Sequence, residues 1–111
     1  MWLESPFGRI YGLLNKGEKG SDQCVIFLHG LGSTRDALCF EDVAKRIACA
    51  TFRFDFPGHG QSTGRPQYLY EEQAETARWV RAELEKTLGI AKFTFVGHSK
   101  GATIAEMVAE P

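Results

Sequence analysis

The residues Gly97-His98-Ser99-Lys100-Gly101 place a hydroxyl between two glycines at the end of an apolar run, Phe93-Thr94-Phe95-Val96. A serine so placed can attack a carbonyl carbon and hold the acyl group as an ester. The G-x-S-x-G spacing suits a strand-to-helix turn so sharp that a Cβ at either glycine would strike neighbouring backbone. That turn, a nucleophile elbow, leaves the hydroxyl standing above the sheet. Alone, the spacing describes any serine in a tight turn. Its surroundings are more specific: a buried-strand pattern precedes it, and a helical pattern follows with Gly101, Ile104, Ala105 and Val108 on one face.

Two other groups have residue types that could do chemistry. Asp55 and His59 are spaced for a metal, yet two ligands are too few and no further cluster joins them. Asp55 is therefore expected to hold the turn after its strand. Cys24, Cys39 and Cys49 are odd in number and include no C-x-x-C pair. That argues against a disulfide framework or zinc site and for small buried hydrophobes. No turn reads G-x-x-x-x-G-K-S/T or G-x-G-x-x-G, so a nucleotide-binding chain would lack its phosphate cradle.

The chain has 111 residues, which bounds it to a single domain over 1–111, and a formal net charge of -1. That charge offers nothing to nucleic acid or an anionic membrane. No run approaches the ~18 apolar residues of a membrane span, and Met1-Trp2-Leu3-Glu4-Ser5-Pro6 lacks the regions of a signal peptide. A cytoplasmic protein is the expectation.

The elements that must position the turns alternate in type. Phe7 to Leu14 reads as an early antiparallel strand and can form half of a hairpin. After a polar, glycine-rich loop, Cys24 to Leu28 is a continuous apolar run, which suits a strand buried on both faces, and it stops at His29-Gly30-Leu31-Gly32. Ser33 with Asp36 resembles a capping box opening a helix that turns Phe40, Val43, Ala44 and Ile47 to the sheet. Thr51 to Phe56 alternates and predicts the next strand, halted by Pro57-Gly58-His59-Gly60, and Gln61 to Tyr70 is irregular. A second helix runs from about Glu71 to Leu88 with Gln73, Ala77, Val80, Leu84 and Leu88 in one stripe. Glu71, Glu72 and Glu75 suit its positive end and Gly89 stops it, but no N-cap is evident. This order implies βαβ units and an open, mostly parallel sheet, with ligands bound outside the carboxyl ends of its strands.

Three turns gather at that end: His29-Gly30-Leu31-Gly32-Ser33, Arg53-Phe54-Asp55-Phe56-Pro57-Gly58-His59-Gly60-Gln61-Ser62, and Gly97-His98-Ser99-Lys100-Gly101. In this order and at these separations they resemble the N-terminal half of an α/β-hydrolase, most closely the cinnamoyl-esterase-like and serine-aminopeptidase-like branch. The resemblance covers nearly all the chain from Phe7 onward. It implies a partial α/β-hydrolase fold: a mostly parallel twisted sheet with an antiparallel N-terminal strand and helices on both faces. It implies Ser99 as nucleophile on a small carboxylic ester or other acyl substrate, with the backbone N–H groups of Leu31 and Lys100 as the oxyanion hole. Gly30 and His98 would lie beside the substrate, and no cofactor or metal is implied. His29, His59 and His98 match positions where the imidazole usually braces loops, so each is a weak candidate for a base. A Ser-Lys dyad through Lys100 is disfavoured because the residue after the nucleophile starts the helix and should aim its side chain away.

One departure matters. The superfamily's triad runs Ser, then Asp or Glu, then His along the chain, and the ten residues after Gly101 hold neither Asp nor His. Without a base the hydroxyl stays protonated and is a poor nucleophile. The family's sheet also has later strands beside the elbow strand, and without them Phe93 to Val96 becomes a bare edge through which chains could self-associate. The expectation is a fragment, truncated product or part of an assembly: a serine hydrolase whose acid and histidine lie elsewhere, or an inactive remnant that binds.

Overall fold

Cys24, Ile26 and Leu28 face one side of their strand while Val25 and Phe27 face the other, and different helices cover the two sides. The computed structural model describes residues 1–18 and 22–109. Its elements are β1 (Trp2–Ser5), β2 (Gly8–Asn15), β3 (Gln23–Leu28), α1 (Phe40–Lys45), β4 (Ala50–Phe54), α2 (Tyr70–Leu88), β5 (Lys92–Gly97) and α3 (Lys100–Val108). The five strands form one sheet in the order β1-β2-β4-β3-β5. Strands β4, β3 and β5 run parallel, while β1 and β2 make an antiparallel hairpin whose second strand pairs antiparallel with β4. The strand expected over Phe7 to Leu14 is thus β2, with β1 as its hairpin partner.

The larger core lies on the α2 and α3 side. Ile26, Phe52, Phe54 and Phe56 pack there against Ala77, Val80 and Leu84 of α2 and Ile104 of α3. On the other face Phe27 meets Phe40 of α1 edge-on at 5.1 Å, with Ala37 and Ala44 beside them. Each fully buried Phe, Leu or Ile contributes about 1.5–3 kcal/mol. Two covered faces explain why β3 reads as an unbroken apolar run, and why Thr51 and Asp55 are buried although they alternate with phenylalanines.

Three expectations need correction. The capping box at Ser33 does not form: Asp36 pairs with Arg53 at 2.6 Å, Ser33 N–H donates to the Gly30 carbonyl, and α1 starts only at Phe40. In that six-residue helix Phe40 and Ala44 are buried while Val43 faces solvent, because one and a half turns present only a narrow face to the sheet. Of the cysteines only Cys24 is buried; Cys49 is half-buried and Cys39 is exposed beside the start of α1. The cap that the sequence does not reveal for α2 comes from inside the helix. Glu72 reaches back to accept the N–H groups of Tyr68 at 2.7 Å and Leu69 at 3.1 Å. Arg65 donates to the same carboxylate at 2.7 Å and, with those N–H groups, holds its pKa below the usual range. Gly89 closes α2 in the left-handed conformation, as expected.

Among the described residues β5 pairs with β3 alone, so its outer edge is free. No helix among them is long and apolar enough to cross a membrane.

Candidate active site

Strands β3 and β5 are neighbours, yet α1 packs on one face of the sheet and α3 on the other. A chain that leaves adjacent parallel strands toward opposite faces opens a crevice at their carboxyl ends. The turns after β3 and β5 border it.

Ser99 stands there with φ 57 and ψ -120, a backbone conformation that costs a residue with a side chain about 1–3 kcal/mol. Neighbours hold it in place. Gly101 N–H donates to the His98 carbonyl and Ala102 N–H to the Ser99 carbonyl, both at 2.9 Å, while His98 N–H reaches the Leu28 carbonyl at 3.2 Å. The flanking glycines are sterically required: a Cβ on Gly97 would overlap the Gly101 carbonyl, and one on Gly101 would overlap the Leu28 carbonyl. The turn after β3 closes over the serine. A Cβ on Gly30 would lie 3.3 Å from Ser99 Cβ and 3.2 Å from the His98 carbonyl oxygen. Among the described residues Ser99 Oγ makes no hydrogen bond, and neither the Leu31 nor the Lys100 N–H has an acceptor.

His29, His59 and Asp55 tie the turns together, whereas the His98 side chain makes no hydrogen bond among the described residues. His29 is 1% exposed; its Nε2 accepts the Phe56 N–H at 3.0 Å, which leaves Nδ1 to donate to the Gly30 carbonyl at 2.8 Å. His59 is buried with Nδ1 at 3.0 Å from the Pro57 carbonyl, and His98 is exposed on the elbow. Asp55 is fully buried. Its carboxylate accepts the Arg35 N–H at 2.7 Å, the Arg35 guanidinium at 2.6 Å and the Gln61 N–H at 2.9 Å. It holds the turn, as its sequence position predicts.

Residues 23–110 match the alpha/beta hydrolase fold family. This chain belongs to the α/β-hydrolases. It is 34% identical over 94 residues to the 2-succinyl-6-hydroxy-2,4-cyclohexadiene-1-carboxylate synthase of Salmonella agona, covering 84% of this chain and 34% of that one. In structure it is similar to an alpha-beta serine hydrolase homologue from Coxiella burnetii, with a TM-score of 0.82 and 23% identity over 97% of this chain and 55% of that one. It is also similar to an esterase from Pyrococcus furiosus, with a TM-score of 0.77 and 25% identity over 88% of this chain and 40% of that one. The chain spans 23–34% of the length of the curated relatives it matches.

Within this hydrolase fold, sequence reasoning missed residues whose partners are distant. Arg35 carries no local signal, yet it packs over the Tyr11 ring at 4.7 Å while it anchors Asp55. Ser62 bridges β2 and the turn after β4: its hydroxyl donates to the Asp55 carbonyl at 2.6 Å and accepts the Tyr11 N–H at 2.9 Å. Lys100 donates its ammonium to the Tyr68 carbonyl and, among the described residues, makes no hydrogen bond to the serine hydroxyl.

His29 also makes the hydrolase fold sensitive to acid. Burial first, and His59 second, depress its pKa to about 4, while the Gly30 carbonyl and Asp55 oppose them. Between pH 6.5 and 4 the unfolded chain binds a proton that the folded imidazole refuses, so stability falls as pH drops through that window and levels off below it. Its full extent is about 3 kcal/mol. Denaturant titrations at pH 7.5, 5.5 and 4 should show this loss, and His29→Gln should flatten the slope relative to wild type. An equal slope in both would assign the acid sensitivity to other groups.

Proposed function

We propose that this chain supplies the nucleophile and oxyanion hole of a serine hydrolase acting on carboxylic esters. One observation carries the reading: a strained, exposed Ser99 whose hydroxyl is unbonded and over which the Gly30 backbone closes. In the step it implies, Ser99 Oγ forms a bond to the ester carbonyl carbon and gives up its proton to a base. The Leu31 and Lys100 N–H groups receive the developing oxyanion, each donor worth about 3–4 kcal/mol of barrier. Collapse expels the alcohol and leaves an acyl-serine for water to cleave. The base and its acid are proposed to lie outside these 111 residues. The Pyrococcus relative, an esterase, supports ester chemistry.

The test is a fluorophosphonate probe, with the labelled peptide read by mass spectrometry. Labelling at Ser99, abolished in Ser99→Ala, is the expected result in a form that holds a base. A folded, full-length form that stays unlabelled at Ser99 would sink the proposal.

A second reading, a chain that binds an ester without cleaving it, draws on the absence of any imidazole or carboxylate bonded to Ser99 Oγ among the described residues. Turnover of short-chain nitrophenyl esters by the 111-residue chain, lost in Ser99→Ala, counts against it.

A further inference from the structure

Lys100 occupies a position that an α-helix disfavours for a cation. It is the first residue of α3, at the positive end of the helix dipole, and that first turn has no acidic residue to offset it. Its ammonium belongs to none of the ion pairs among the described residues. Instead, Nζ donates to the main-chain carbonyl of Tyr68 and lies 5.0 Å from the centre of the Tyr70 ring. Tyr68 belongs to the segment that leads into α2, and Tyr70 is the first residue of that helix.

That segment is itself joined to the turn over the nucleophile. The Tyr68 ring meets His59 edge-on at 5.4 Å, His59 lies 5.3 Å from His29, and His29 holds the Gly30 carbonyl at 2.8 Å. Contacts therefore run from the residue after the nucleophile, through three rings, to the turn that carries Leu31. From this juxtaposition the geometry points to Lys100 as a positioning residue, whose side chain latches the start of α2 to the elbow and so fixes the two oxyanion donors relative to each other. The catalytic consequence rests on the hydrolase reading proposed above; the latch does not. A methionine has the reach of lysine but cannot donate, whereas arginine keeps both the charge and the donors. The pair separates a latch from a side chain that happens to lie nearby.

The experiment is NMR on the 111-residue chain, reading amide exchange at Tyr68 and Leu69 and the ring signals of His59 and His29. Both amides donate to Glu72 and report the order of the latched segment. Lys100→Met is expected to speed their exchange roughly tenfold while the Val80 amide in the middle of α2 keeps its protection. The His59 ring signals should move, and Lys100→Arg should restore both readouts. Wild-type exchange and unmoved His59 signals in Lys100→Met overturn the proposal. If Lys100→Met does not fold, Tyr70→Leu removes the ring partner alone. It should speed the same amides by a smaller factor, and no change there also overturns the proposal. Neither readout needs turnover. An unlabelled Ser99 beside an intact latch refutes the hydrolase reading only, and a labelled Ser99 beside unchanged exchange refutes the latch only.

Discussion

Gly101→Ala should leave little folded protein. The added methyl has to occupy the space of the Leu28 carbonyl, at the point where α3 leans on the end of β3. Backbone at the centre of a parallel sheet cannot move aside without breaking the β3–β5 ladder, whose register runs from Gln23↔Lys92 to Leu28↔Gly97. Forced overpacking of this kind costs about 3 kcal/mol or more, against a total stability of roughly 5–15 kcal/mol for a domain. Denaturant unfolding, or the soluble yield where the variant is too unstable to titrate, measures the loss. Thr103→Ala, on the exposed face of the same helix, should change stability by less than about 0.5 kcal/mol. If Gly101→Ala matched that control, the elbow would not have the tight geometry described.

Asp55→Ala is expected to cost about 3–5 kcal/mol, because it strands a charge instead of leaving a hole. Arg35 is only 14% exposed in its side chain and has Asp55 as its closest anionic partner, at 2.6 Å. The second carboxylate near it, Asp36, is 3.9 Å away and is held by Arg53. Removing Asp55 also leaves the Gln61 and Arg35 N–H groups without their acceptor. A double-mutant cycle decides between a lost charge pair and a lost packing volume. Asp55→Ala combined with Arg35→Met should be less destabilised than the sum of the single variants by more than about 1 kcal/mol. Additive effects would mean that the carboxylate acts through its shape and the turn alone.

Asp55 marks the boundary of what the sequence made legible. Its turn-holding role follows from a position just past an alternating strand, but Arg35 lies 20 residues away and nothing local announces it. The same distance rule explains the failure at Ser33: Asp36 has the spacing of a cap, but its partner is Arg53, 17 residues on. The two-sided burial of β3 and the tight turn at Ser99 were readable because their signals are short-range. An unbroken apolar run means two covered faces, and paired glycines mean close backbone. Glu72 escaped because a search for an N-cap looks at the residue before the helix, whereas here the third helical residue reaches back. Val43 was misplaced because helical period alone does not say how narrow the buried face of a short helix will be.

Strand order also sets a timetable. β3 sits between β4 and β5, but β4 is made soon after it and β5 only after the whole of α2. At about 5–20 residues per second of synthesis, β3 waits roughly 3 to 13 s with one edge open before Lys92–Gly97 arrives. By then the His29 and Asp55 turns have their own partners in place. Ser99 thus reaches turns that are already built, so a chain slowly translated through α2 would expose the open edge of β3 to its neighbours.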